Sequence, residues 1–471
     1  MSKDRPVHIP YGAYYKTEIP AHDPELTHTG PGTPMGELMR KHWQPVCMSE
    51  QLTDVPLVIR IMSEDLVAFR DRSGRVGVLQ RHCSHRGTSL EYGIIQPKGI
   101  RCCYHGWVYD IDGTILEMPA EPEDSRIYET VYHGAYPAFE RDGLVFAYMG
   151  PPEEKPEFPD YDTYHRPDGN KLLPMSIFSP CNWLQVCENI MDHLHVGTLH
   201  NPQMMTVEGV NASEIEGMDY AAPMGFTERP ALDWEPTRGG NGMCFIASRR
   251  NPDQRTVWVR IVETIFPNYL QIGCTFPSAR TSRRSQTVWT RWHVPVDDEN
   301  MLVLGWRHFN DEVDPLRLGK EEEVGYEKLD FLGGVVGNRT YEEGQRAPGD
   351  YEALIGQRAI AIHDYENPGS ADAGVYMCRK LLRECVRGNT PPHESLEING
   401  SGRNRLHTYT QDSVMNVPSE PGKDDLELMR RVGQQVFAIM QEGDDVPSAN
   451  REEHIRARFD DLDGGYLEAA E

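Results

Sequence analysis

Two short loops constrain what this chain can fold into more than anything else in it. Cys83-Ser84-His85 and Cys102-Cys103-Tyr104-His105 each carry a thiol and an imidazole, with sixteen residues between the two loops. Ligands on separate loops converge only if a metal, or the fold around it, holds them together. Tetrahedral zinc accepts two thiolates and two imidazoles, so a closed zinc ribbon is one reading. A [2Fe–2S] cluster with two cysteines on one iron and two histidines on the other uses the same four groups. Zinc knuckles usually pair Cys with Cys, whereas here each loop supplies one Cys and one His, hence one ligand per iron. The flanking Gly87 and Gly106 permit close backbone approach and are expected to leave amide N–H groups for the cluster sulfides.

A second constellation lies in N-W-L-Q-V-C-E-N-I-M-D-H-L-H-V-G-T-L-H, which holds Asp192, His193, His195 and His200. On a helix, Asp192 and His195 share a face, while His195 and His200, five residues apart, stand about 140° apart around the axis. The two histidines meet at one metal only if the helix is distorted between them, and Gly197 sits there. His193 points elsewhere and reads as a packing histidine. Two histidines and one carboxylate with open positions are the ligand set of non-haem Fe(II) sites that handle O₂. A polar helix face is the plainer alternative.

At 471 residues the chain has room for two to three domains. A net charge of −26 argues against a nucleic-acid partner, whose phosphates it would repel. No apolar run approaches the roughly 20 residues of a membrane-spanning helix, and MSKDRPVHIPYGAYYK lacks the apolar core of a signal peptide. Ten cysteines, several near histidines, suggest metal ligands and core thiols rather than a disulfide framework. A cytoplasmic protein is expected.

Residues 1–40 suggest an irregular arm. From Val55 the pattern turns to strands, with a hairpin turn expected at Asp112-Gly113. A linker rich in Pro and acid follows at 153–174. Beyond the helical histidine segment come long strands such as RTVWVRIVETIF, SQTVWTRWHVPV and MLVLGWRHF, with DDEN as the turn between the last two. They predict a broad antiparallel sheet with one covered face. A helix is expected from Asp350 through YEALIGQRAIAI. The polar tail is expected to carry one amphipathic helix near 425–441, with Leu428, Val432, Val436 and Ile439 on one face.

CSHRGTSL together with CCYHGWVYDIDG resembles the Rieske motif. The resemblance implies that Cys83 and Cys102 bind the inner iron of the cluster, and His85 and His105 the outer one. Cys103 stands where many members have Pro and reads as a buried thiol that is not a ligand. The D-x-x-H-x4-H spacing after N-W-L-Q is similar to the mononuclear iron motif of Rieske non-haem iron oxygenases, in the phthalate-dioxygenase-like group. By that resemblance His195 and His200 bind iron, and Asp192 orients His195 and reaches His105 of the partner subunit. The third ligand is implied at the head of a late helix, where the register selects Asp350. Gly349 precedes it where relatives commonly have Gln, so Asp350 as a plain helix N-cap stays open, with Asp364 and Glu366 as alternative ligands.

GPGTPMGELMRKHWQPV resembles the group that includes dehydrodivanillate O-demethylase and phthalate 4,5-dioxygenase. The resemblance implies an α+β fold, with an antiparallel-β Rieske domain (41–152) after the arm and a helix-grip catalytic domain (175–390) after the linker. In the catalytic domain a large antiparallel sheet is flanked by helices, and residues 391–471 form a C-terminal extension. It further implies a terminal oxygenase using O₂ and electrons from NAD(P)H through a separate reductase or ferredoxin, as no nucleotide-binding glycine fingerprint is evident here. The implied assembly is a homotrimer or stacked trimers, and the implied chemistry is ring hydroxylation of an aromatic acid or O-demethylation of an aryl ether. An anionic substrate would want an arginine, but Arg249, Arg250, Arg291 and Arg307 read as surface or strand residues. The competing readings are a Rieske electron-transfer protein with an inactive second site and a structural zinc protein.

Overall fold

The computed structural model describes residues 11–470 apart from 16–17, 123, 166–168, 201–227, 239, 276, 329–338, 389–404, 421 and 423. The expected boundary at 390 lies outside the described residues. The amino-terminal arm is more ordered than its composition suggests. Asp23 and Thr33 cap two short helices, Pro24–Thr27 and Pro34–Arg40, each opened by a proline. Leu26, Met35 and Met39 on these helices are fully buried.

Residues 44–147 build three small antiparallel sheets. One pairs Gln44–Met48 and Ala138–Arg141 with Leu144–Ala147 between them. A second contains Leu57–Ile61, Glu64–Arg70, Val76–Gln80 and Ala135–Tyr136. The third is a set of very short strands, Ile94–Ile95, Ile100–Arg101, Val108–Tyr109 and Ile115–Glu117. The first Cys/His loop leaves the Val76–Gln80 strand, and the second joins Ile100–Arg101 to Val108–Tyr109. The Asp112-Gly113 turn forms as expected, with Gly113 at φ +84° and its N–H bonded to Asp110.

The large sheet runs, edge to edge, through Lys171–Ser179, Met301–Phe309, Thr287–Pro295, Tyr269–Gly273, Thr256–Ile265, Gly242–Arg250 and Ala231–Pro236. Every pairing between its described strands is antiparallel. It differs from expectation in having both faces covered. Met243, Phe245, Ala247, Trp258 and Val262 face one core, which includes the helices Trp183–Met191 and Ala373–Val386. Cys244, Ile246, Val257, Val259 and Ile261 alternate onto the other, under the helix Asp425–Glu442. Period-two alternation is invisible in strands whose two faces are both apolar.

The tail also departs from expectation. Gln411–Asn416 pairs with Thr256–Ile265, so the extension contributes a strand to the large sheet. A second helix, Ser448–Ala470, follows the expected one and buries Ile455 and Phe459. Two apolar anchors in a polar helix give too weak a stripe to read from sequence. The proline-rich segment after residue 150 is pinned rather than loose. Tyr161 stacks on Tyr269 at 4.6 Å, and beside it the Leu406 carbonyl accepts from Asp162 N–H while Leu406 N–H donates to the Asp160 carbonyl. Phe146 of the small sheet packs against Trp292 and Trp306 of the large one at 5.3 and 5.7 Å.

Gly99 turns the hairpin just ahead of the second Cys/His loop at φ +73°, and a Cβ there would lie 1.8 Å from the Tyr109 carbonyl oxygen. Gly99→Ala is therefore expected to cost about 2 kcal/mol or more in strain and displacement. A lower thermal midpoint, with weakened visible absorbance from a cluster held by the adjoining loop, checks this; an unchanged melt contradicts it.

Candidate metal centres

The two Cys/His loops share one construction. Each cysteine carbonyl accepts from the glycine four residues on, Gly87 to Cys83 at 2.8 Å and Gly106 to Cys102 at 3.1 Å. Each cysteine N–H in turn donates to the residue five on, Thr88 and Trp107. Gly87 and Gly106 hold φ of +74° and +77°, which only glycine adopts freely. Their own N–H groups close these turns, while the amides of Tyr104 and His105 are directed at the Cys102 sulfur.

Cys83 and Cys102 are 4% and 2% exposed, while His85 and His105 are half-buried, so thiols lie inside and imidazoles toward the surface. The histidine rings sit 4.5 Å apart, and His85 stacks on Trp107 at 4.7 Å. Cys83 Sγ lies 2.9 Å from Tyr109 Oη. Burial pushes the Cys102 thiol up, with Cys83 beside it contributing; a metal that takes the thiolates reverses that cost. Burial, then His85 and Arg86, hold His105 below the usual histidine range. His85 Nδ1 is buried with no hydrogen-bond partner among the described residues. Two buried thiols paired inside and two imidazoles paired outside suit a two-iron cluster better than one tetrahedral ion. Cys103, expected to be buried, is exposed on the outer side of its turn.

In the second site the helix Trp183–Met191 starts at an Asn182 cap and breaks at Asp192, where ψ is 78°. A tight turn over His193–His195 and a short helix Val196–Leu199 follow. The long helix thus breaks at Asp192, ahead of both histidines, while Gly197, where a distortion between them was expected, sits inside the short helix. His195 Nδ1 bonds the Asp192 carbonyl, and the Asp192 carboxylate stands 4.0 Å off. A carbonyl only accepts, so Nδ1 carries the proton and Nε2 keeps its lone pair for a metal.

Asp350 is the first residue of the helix Asp350–Ile355, and Gly349 holds the N-cap position. The helix ends at Ile355, far short of the expected run through Ile362. Asp350 Oδ1 lies 3.5 Å from His195 Nε2 and Oδ2 lies 3.2 Å from His200 Nε2. Ligand atoms of His195, His200 and Asp350 all fall within 4.8 Å of one another, the one such group among the described residues. Burial alone would raise the Asp350 carboxyl, but His200, His195 and Arg291 outweigh it and hold it well below the carboxylate range. Asp364 is exposed, and Glu366 is bound by Arg379 at 2.6 and 2.8 Å, so neither joins the group. His193 accepts from Arg249 at 2.9 Å and stacks on Phe245, the packing role expected of it.

Sequence reasoning did not identify what holds Asp350 in place. Gln185 donates from Nε2 to the carbonyls of Leu354 and Arg358 at 2.9 and 3.1 Å, and its Oε1 accepts from Ala361 N–H at 2.9 Å. The carboxamide ties the C-terminal end of the Asp350 helix and the chain beyond it to the histidine helix, while Asn189 Nδ2 of that helix donates to Asp350 Oδ1 at 3.4 Å. Its only sequence signal was its place in N-W-L-Q. A cavity of about 110 Å³ opens on the site, walled by Val186, Ile190, Val262, Trp289 and Leu354. Arg291, read from sequence as a strand residue, lines it as well.

Residues 42–137 match the model of the Rieske [2Fe-2S] domain, and residues 147–315 match the LigXa C-terminal domain like family. The chain is 52% identical to the tert-butanol monooxygenase / tert-amyl alcohol desaturase oxygenase subunit of Aquincola tertiaricarbonis, over 93% of each chain. It is 36% identical to the phenoxybenzoate dioxygenase alpha subunit of Ectopseudomonas oleovorans, over 80% of this chain and 87% of that one. It is 31% identical to the 5,5'-dehydrodivanillate O-demethylase oxygenase subunit of Sphingobium sp. (strain NBRC 103272 / SYK-6), over 83% and 87%. Among solved structures, dicamba monooxygenase bound to dicamba shares the fold, with a TM-score of 0.52 and 15% identity over 74% of this chain and 98% of that one.

Replacing Gln185 by Leu keeps its bulk but removes three hydrogen bonds to the Asp350 segment and leaves the buried Ala361 N–H unpartnered, at about 1–3 kcal/mol for that group. Gln185→Leu is expected to melt earlier and to lose most metal from the His195/His200/Asp350 site while keeping the Cys/His loops loaded. Metal analysis beside visible absorbance reads both; full occupancy of the second site rules out this role.

Proposed function

This chain belongs to the Rieske non-haem iron oxygenases as an oxygenase alpha subunit, and on that premise we propose the residues that carry its two iron centres. Cys83, His85, Cys102 and His105 hold the [2Fe–2S] cluster, and His195, His200 and Asp350 hold the mononuclear iron. The observation that carries the second assignment is the meeting of two imidazoles and one carboxylate within 4.8 Å at the end of a mostly apolar cavity. Residues 41–152 are the cluster domain and 175–390 the core of the catalytic domain, with the C-terminal extension supplying a strand and a covering helix.

Iron in the second site supplies dioxygen activation, and the cluster supplies electrons received from a separate reductase or ferredoxin. The chain's own residues set the conditions. The Asp192 carbonyl fixes the His195 tautomer, Asn189 donates to Asp350, and Gln185 anchors the helix that Asp350 opens. Val186, Ile190, Val262 and Leu354 keep the cavity dry, which protects reactive oxygen chemistry from water.

The Asp192 side chain is 36% exposed, available to bridge His195 to His105 of the partner subunit in a head-to-tail ring. A homotrimer, or a stack of trimers, is the assembly this reading requires. Among the described residues no helix is long and apolar enough to cross a membrane, and we read the protein as cytoplasmic. Relatives named as oxygenase components leave the pure electron-carrier reading without support.

The substrate is an aromatic compound, hydroxylated on the ring or O-demethylated, as the names of the phenoxybenzoate and dehydrodivanillate enzymes suggest. A small tertiary alcohol is the second reading, favoured by the 52% identity to the tert-butanol enzyme. Reconstitution with a reductase separates them. Formaldehyde release marks demethylation, a cis-diol marks dihydroxylation, and oxygen uptake with tert-butanol alone marks the second reading.

Purified protein is expected to hold about three irons per chain, two in the cluster and one beyond it. Asp350→Ala is expected to remove the third iron, abolish coupled oxygen uptake and spare the cluster's absorbance. Retention of three irons in that variant would falsify Asp350 as a ligand.

A further inference from the structure

The wall of the iron-site cavity carries hydrogen-bond donors that have no partner among the described residues. Trp289 and Arg291 alternate onto the same face of the strand Thr287–Pro295. Arg291 is 6% exposed and lines the cavity. Among the described residues it makes no hydrogen bond and no ion pair, and its Nε is buried without a partner. Its cross-strand neighbours on that face are Leu270 and Gly305, neither of which can accept from it. A Cβ on Gly305 would lie 2.6 Å from Arg291 Cα, so the glycine leaves the arginine room to stand off the sheet. Trp289 Nε1 and Thr275 Oγ1 line the same cavity, and both are buried without a partner among the described residues.

A buried guanidinium without a counter-ion is costly, and proteins rarely keep one for packing alone. Asp350 attracts Arg291 across the cavity, yet no ion pair forms between them. With ferrous iron in place the single Asp350 charge is taken up by the metal, and the site is left with excess positive charge. Arg260, the other guanidinium on the wall, is already paired with Asp412 at 3.2 Å. A neutral hydroxyl would accept from one donor and leave the Arg291 charge uncompensated. A carboxylate accepts from several donors at once and cancels that charge.

We propose that Arg291, with Trp289 Nε1 and Thr275 Oγ1, forms a subsite that binds the carboxylate of an anionic aromatic substrate and presents its ring to the iron. The assignment rests on the oxygenase reading above and narrows its substrate to a carboxylic acid. Arg291 is then the residue that selects acids over neutral analogues, and Trp289 and Thr275 orient the carboxylate.

The test is equilibrium binding to the full-length purified protein by titration calorimetry, with benzoate, phthalate and 3-phenoxybenzoate as acids and benzamide and tert-butanol as neutral probes. At least one acid is expected to bind about tenfold or more tighter than the neutral probes. Arg291→Met is expected to weaken that acid by about 30-fold or more, while changing neutral probes by less than about threefold. Arg291→Lys is expected to fall between, because it restores charge but not the guanidinium fork. Should the Met variant lose its cluster absorbance, W289F carries the test, with about a fivefold loss expected for the acid alone.

Equal affinity for acids and neutral probes, undiminished acid binding in the variants, or no acid bound at millimolar concentration overturns the proposal. The titration needs neither reductase nor turnover. An inactive protein that still binds acids through Arg291 contradicts only the oxygenase reading. An active oxygenase that takes tert-butanol and ignores every acid contradicts only this subsite.

Discussion

The side chain of Gln185 joins two segments that are more than a hundred and fifty residues apart in the chain. One carries His195 and His200 at the end of a broken helix, and the other opens with Asp350. Leu184, Val186 and Ile190 of one segment and Leu354 of the other share the main core, but apolar packing alone does not fix the register of their polar ligands. Three hydrogen bonds from one buried carboxamide set the spacing between them. Asn182 does similar work one turn earlier, donating to the carbonyls of Thr27 and Asp298 while its own N–H bonds Ala359. Arg379 adds a third tie, gripping Glu188 of the histidine helix and Glu366 beyond the Asp350 segment. The metal geometry is therefore held by polar groups buried behind it, each satisfied because its partners are backbone or charge.

The cluster loops meet the same demand by different means. There is no helix to lean on, so each loop closes on itself through a glycine with positive φ and a pair of backbone hydrogen bonds around its cysteine. The loops are then laid face to face by sheets of two- and three-residue strands. Their shared core of Val67, Phe69, Leu79, Ile100 and Trp107 is separate from the main core of the molecule. A small domain with so little regular structure gains much of its order from the metal it binds.

The cavity couples these supports to chemistry. Its wall is the inner face of the large sheet, and a sheet face presents every second residue of each strand in a fixed direction. Trp289 and Arg291 thus become rigid features of the pocket rather than mobile surface groups. Burial lowers the Arg291 guanidinium to about 10, with Asp350 and then Cys187 pulling the other way.

Local chemistry is legible in the amino-acid order itself. The Cys/His spacings, the positive-φ glycines, the Asp112-Gly113 turn and the face of the helix ending at Glu442 all depend on residues a few positions apart, and the sequence by itself determined them. What depended on distant contacts was decided only by the tertiary structure. The break of the histidine helix at Asp192, the early end of the Asp350 helix, and the covered second face of the sheet were not legible from neighbouring residues. Exposure of Cys103 and burial of Arg291 belong with them, because a residue's surroundings are set by what packs against it. A sequence states which groups can hydrogen-bond or ligate; only the folded chain states which of them are left without a partner.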